Sequence, residues 1–129
     1  MARTLDVSRV TFPGDGEPDS FVRYRQLTHA WQVARAAGMP DEDYVGRVRR
    51  LEAQIAAVDG RGFFETPFAQ AASLGARLGF AAPGALWVKD ETGNVSGSHK
   101  GRHLMGLALG LEVAEWIDPA ARAGHQRHG

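Results

Sequence analysis

The chain has 129 residues, with 15 basic side chains balancing 15 acidic ones, and no long run of one sign occurs, so it lacks the electrostatic footprint of a nucleic-acid or anionic-lipid binder. It contains no cysteine, which excludes disulfides, thiolate metal sites and cysteine nucleophiles. The opening residues lack the apolar stretch of a signal peptide and nothing later is long enough to cross a bilayer, so the expectation is a cytoplasmic protein with small-molecule or protein partners, no nucleic acid and no membrane.

Residues 1–20 are rich in Gly, Pro and Asp and read as a loosely ordered arm. Helical periodicity begins with Phe21, Tyr24, Leu27, Trp31 and Ala34 after an Asp19 or Ser20 cap, and Gly38 with Pro40 stops it. A second helix starts near Asp41, with Tyr44, Val48, Leu51, Ile55 and Val58 as its apolar stripe and Asp59 and Gly60 at its end. The pair predicts a helical hairpin over 21–60.

Thr66 followed by Pro67 is a cap and first-turn pair, predicting a third helix that carries Phe68, Ala71, Leu74 and Leu78 and closes at Gly79. "ALWVKDE" is an apolar run turning charged, which reads as a short buried strand opening onto a loop from Thr92 to Gly97. Ser98 is placed to cap a fourth helix through Leu104, Leu107 and Leu111 to about Trp116. That helix is apolar on most sides, so it expects enclosure, by self-association through 98–117 or by another chain. Residues 118–129 form a polar tail with little to bury. The fold class expected is α/β, mostly helical, with an incomplete sheet.

The loop and helix start, "GNVSGSHKGRHL", put Lys100 in a first turn, where the peptide dipoles disfavour a cation and ease loss of the ammonium proton. A neutral amine is the nucleophile that forms a Schiff base with an aldehyde. The competing reading is an ordinary exposed, charged lysine. A Walker phosphate loop is rejected, because Gly101 rather than Ser or Thr follows Lys100 and the glycine spacing fails. His99 and His103 share a helical face but lack a third ligand and the zincin glutamate, so no metal is assigned; His125 and His128 lie in the tail.

The segment "KDETGNVSGSHKGR", Lys89 to Arg102, resembles the lysine motif of fold type II pyridoxal-phosphate enzymes: threonine synthases, serine/threonine dehydratases and the β subunit of tryptophan synthase. Their pattern K-x-E-x-x-N-P-T-G-S-F-K-x-R is met at Lys89, Glu91, Asn94, Gly97, Ser98, Lys100 and Arg102. Val95 stands where Pro is usual, Ser96 for Thr, His99 for Phe and Gly101 for a common Asp. Upstream, "ETPF", "SLGARLG" and "LWVKDE" are similar to the segments that precede the lysine in those families, so the likeness runs from about Glu65 to Glu115.

The resemblance implies that Lys100 holds pyridoxal 5'-phosphate as an internal aldimine and then takes the α-proton of an amino acid substrate, in a lyase or synthase reaction of elimination or replacement at the β or γ carbon. His99 resembles the tryptophan synthase variant in which a histidine helps hold the cofactor phosphate. Ser96, Gly97 and Ser98 resemble the loop that faces the substrate carboxylate, although a turn and a helix cap would need the same residues. By the same resemblance, 61–117 would begin the cofactor-binding catalytic domain and 21–60 would be an extension. The family's later S-x-G-N loop, glycine-rich phosphate loop and pyridine-nitrogen residue do not follow Lys100, so the expectation is a truncated chain with little activity alone. The rival reading is a small helical protein-interaction module that retains a relic lysine motif.

Overall fold

The computed structural model describes residues 11–14, 16–80, 82 and 84–120; most of the arm and the end of the tail, with His125 and His128, lie outside the described residues. Helix α1, Ser20–Arg23, is capped by Asp19, whose Oδ1 accepts from the N–H groups of Phe21 at 2.8 Å and Val22 at 3.3 Å. The single helix expected over Phe21–Ala34 is broken by a 3-10 turn, Arg25–Leu27, and restarts as α2, His29–Ala36. Thr28 causes the break. Its backbone is extended, and its hydroxyl donates to Arg25 O at 2.7 Å and accepts from Trp31 N at 3.3 Å, offering the chain an alternative to an unbroken helix. The break lets Arg25 and Trp31 converge on Asp41, whose carboxylate accepts from Arg25 Nε at 2.9 Å, Arg25 Nη2 at 2.8 Å and Trp31 Nε1 at 2.7 Å.

Helix α3, Asp41–Asp59, has the bounds its pattern predicts. Asp41, Glu42 and Asp43 favour its positive N-terminal end, and Gly60 closes it at φ 78°, donating its N–H to Ala56 O at 2.9 Å. Tyr44 and Val48 are fully buried and Leu51 and Ile55 pack against the core, but Val58, the last of the expected stripe, is 91% exposed.

The segment after α3 departs from expectation. Phe68–Gln70 is not helical but forms strand β1, antiparallel to β2, Trp87–Lys89, with Phe68 opposite Lys89 and Gln70 opposite Trp87. Thr66 does not cap a helix because its hydroxyl is drawn to Glu91, and the Pro67 carbonyl extends the ribbon by accepting from Asp90 N at 2.9 Å. Only Ala72–Arg77 forms α4, which stops at Gly79 with φ 79°. Strand β2, expected to be buried, is exposed along its length, as is β1. A two-stranded ribbon has no layer to cover either face; its main apolar contact is the Phe68–Trp87 stack, with centroids 5.1 Å apart.

Helix α5, Lys100–Ile117, lies against α2 and α3. Its buried stripe is Gly101, Met105, Leu109 and Val113, spaced by four. Leu104, Leu107 and Leu111, the residues expected to carry the helix, point outward instead. The stripe joins Val22, Ala34, Met39, Tyr44, Val48, Phe63 and Val95 in one core. The described chain is thus mostly helical with one two-stranded sheet, and none of its described helices is long and apolar enough to cross a membrane.

Candidate functional site

The lysine motif divides into a fixed part and a free part. Glu91 is the hub of the fixed part. Its carboxylate accepts from the Thr66 hydroxyl, from Asn94 Nδ2 at 2.8 Å and from Arg102 Nε at 3.1 Å. Arg102 also donates from Nη1 to Ser20 Oγ at 3.1 Å and from Nη2 to Phe64 O at 2.6 Å. Lys89 donates to the carbonyl of Thr66 and lies 3.9 Å from Glu91 Oε1. Thr66 and Asn94 are both buried, so each would leave polar atoms unpaired if the hub were lost. Burial pushes the Glu91 carboxyl up, but the hydrogen bonds from Thr66, Arg102 and Asn94, with the Arg102 charge, outweigh it and hold the group below the ordinary carboxylate range. Four of the seven motif matches, Lys89, Glu91, Asn94 and Arg102, are therefore held by one network.

The loop after it is held from both ends. Asp90 accepts from the Thr92 N–H at 2.9 Å and the Thr92 hydroxyl at 2.6 Å, which lowers its carboxyl pKa. Val95 is buried in the core. Ser96 and Gly97 both adopt left-handed backbone, φ 57° and 61°, a conformation that strains the serine. The Ser96 N–H donates to both oxygens of Asp59, at 3.2 and 3.3 Å. Gly101 makes the close approach of loop and helix possible: a Cβ there would lie 3.0 Å from the Val95 carbonyl oxygen. The departure from Asp at this position thus has a steric reason.

The free part is the turn from Ser96 to Lys100, which brings all the expected site residues together. The cap of α5 is His99, which makes no side-chain cap bond, rather than the expected Ser98, whose hydroxyl accepts from Lys100 N at 3.2 Å. His99 and Lys100 are exposed, and Lys100 Nζ has no hydrogen-bond or ion-pair partner among the described residues. The chain has two lysines, and only Lys89 is anchored. The Ser96 and Ser98 hydroxyls flank the turn, while the Ser96 N–H is already taken by Asp59.

Thr66 as a partner of Glu91, the reach of Arg102 to Ser20 and Asp59 beneath the loop are not apparent from the sequence pattern. The first had a signal, since a threonine next to a proline need not cap a helix; the other two rest on contacts 82 and 37 residues apart in sequence. Glu52 is likewise not apparent from it. It accepts from Phe63 N at 3.0 Å, and burial together with the neighbouring Asp19 carboxyl raises its pKa from 4.5 to about 7. Among the described residues, no cluster of three or more His, Asp or Glu is arranged to hold a metal.

Comparison with known families, characterised proteins and solved structures gives no match.

Proposed function

We propose that the chain carries the lysine-bearing segment of a fold type II pyridoxal-phosphate enzyme of the threonine synthase or dehydratase branch, with Lys100 as the residue that binds the cofactor's aldehyde. One observation supports this reading above others: Lys89, Asn94 and Arg102 of the motif are tied together around Glu91, while the Lys100 amine has no partner among the described residues.

The residues would suit the group at the lysine, where an accessible amine adjoins a loop anchored through the Ser96 N–H to Asp59. At the phosphate the fit is narrower, because the motif offers the His99 side chain beside the lysine while the loop N–H groups of Ser96, Gly97 and Ser98 are donated to Asp59, Asn94 and Val95. When bound, the cofactor supplies an electron-withdrawing ring that makes an amino acid's α-proton removable. Lys100 would accept that proton at Nζ and return it. Ser98 would orient the substrate carboxylate from its hydroxyl, and the Glu91 network would keep the turn from shifting as Lys100 moves.

The test is to treat the full chain with pyridoxal phosphate or pyridoxal, reduce with borohydride and map the adduct. Selective labelling at Lys100 that is stronger with the phosphorylated aldehyde, and reduced in His99→Ala, is the expected result. Equal labelling of Lys89 and Lys100, with no preference for the phosphate form, would overturn it and favour the interaction-module reading, which the outward leucines of α5 support.

A further inference from the structure

A cavity of about 250 Å³ lies between α1 and the fixed part of the motif, lined by Arg23, Lys89 and Arg102 together with Ser20, Tyr24 and Glu65. Lys100 is not part of it. Its cations come from three elements, α1, β2 and α5, so the fold and not a local run of sequence gathers them. We propose that this cavity binds a small oxyanion, a phosphate or phosphomonoester, independently of the lysine turn.

Three features carry the inference. Charge comes first: Arg23, Lys89 and Arg102 line a wall that carries one carboxylate, Glu65, with Glu91 behind it. Like charges so gathered repel one another, and an anion between them relieves the repulsion. Order comes second. Arg102 is fixed by Ser20, Phe64 and Glu91, Lys89 by the Thr66 carbonyl, and Arg23 stands over the Tyr24 ring at 5.4 Å from its centroid. Side chains already held in place lose little freedom when a ligand arrives. An ammonium has three donors, and Lys89 uses one of them on Thr66, so others remain for an oxyanion. Size comes third: the volume falls below the roughly 300–1,000 Å³ of pockets for drug-sized ligands, which suits a phosphate group and little more. Guanidinium groups and hydroxyls are the donors such a group takes.

Inorganic phosphate titrated into the full chain at low salt, followed by amide chemical shifts and calorimetry, tests the site. Saturable binding with a Kd on the order of 1 mM is expected, centred on residues 20–24 and 102 and weakened by added salt. Arg23→Gln should weaken binding about tenfold, whereas Glu65→Gln, which removes the opposing charge, should tighten it severalfold. Opposite signs from two neutralising changes separate an electrostatic site from a loss of structure. Lys100→Gln should leave the affinity unchanged. The proposal is overturned by the absence of saturable shifts, by equal affinity in the Arg23 and Glu65 variants, or by loss of binding in Lys100→Gln, which would put the phosphate at the lysine turn.

Discussion

The helical side of the molecule and the motif side are held by different forces. Where α5 meets α2 and α3, Met105, Leu109 and Val113 are almost fully buried among Met39, Tyr44 and Val48, and the stabilisation comes from apolar area removed from water. Around β1, β2 and the loop before α5, both strands are exposed, and hydrogen bonds converging on Glu91 hold the segments instead. Apolar packing tolerates small shifts of many atoms, whereas a polar hub depends on a few groups staying in register. The side that carries Lys100, the residue proposed to bind the aldehyde, is the side built on the hub.

The comparison can be broken at its strongest point first. Leu109→Ala should cost about 3 kcal/mol in urea unfolding, because it opens a cavity in a packed core; a loss under 1 kcal/mol would mean that the helices do not pack as described. Glu91→Ala should cost about 2 kcal/mol, through unpaired Thr66 and Asn94 and a released Arg102, and should also reduce labelling at Lys100. If stability drops but Lys100 reacts as before, the hub does not position the turn.

Acidity sharpens the comparison, since single carboxylates respond to pH in opposite directions according to their surroundings. The raised pKa of Glu52, about 7 against 4.5, means that the folded state holds its proton more tightly. Its contribution is therefore fully present below pH 4.5 and is lost as pH rises through 7. Glu52→Gln should be more stable than the parent at pH 8 by about 1 kcal/mol, a figure reduced for solvent screening of a partly exposed group, and should match it near pH 4. Glu91 works the other way: its lowered pKa stabilises above the unfolded value and is lost as pH falls. Asp41 does the same, its carboxyl lowered chiefly by the Arg25 hydrogen bond. Thermal unfolding between pH 3 and 9 should thus give a maximum that shifts upward in Glu52→Gln. The smallest effect belongs to Leu111, 71% exposed and two residues from Leu109: Leu111→Ser should change stability by under about 0.5 kcal/mol. A larger loss would show that the outward face of α5 is covered in solution.

Much of the helical frame was legible because its signals are local. The acidic start and glycine end of α3, the Asp19 cap and the Gly79 stop each act within a few residues and appear where the pattern puts them. The same holds for the motif turn, where Ser98, His99 and Lys100 are adjacent in the chain. The break at Thr28 was less legible, because Arg25 and Trp31 gain a shared partner in Asp41 only when the chain folds back. Thr66 illustrates the same limit, since a helix cap and a partner for Glu91 ask for the same residue.

The sequence by itself determined both ends of α3, the Asp19 cap, the Gly79 stop and a loop leading to the lysine at the start of α5, because capping and turn chemistry depend on neighbours along the chain. Which face of α5 is buried, which lysine is anchored and where Arg23, Lys89 and Arg102 meet were decided only by the tertiary structure. A helix apolar on most sides carries no internal preference for one stripe, and charges from three separate elements are brought together only by the packing that joins those elements.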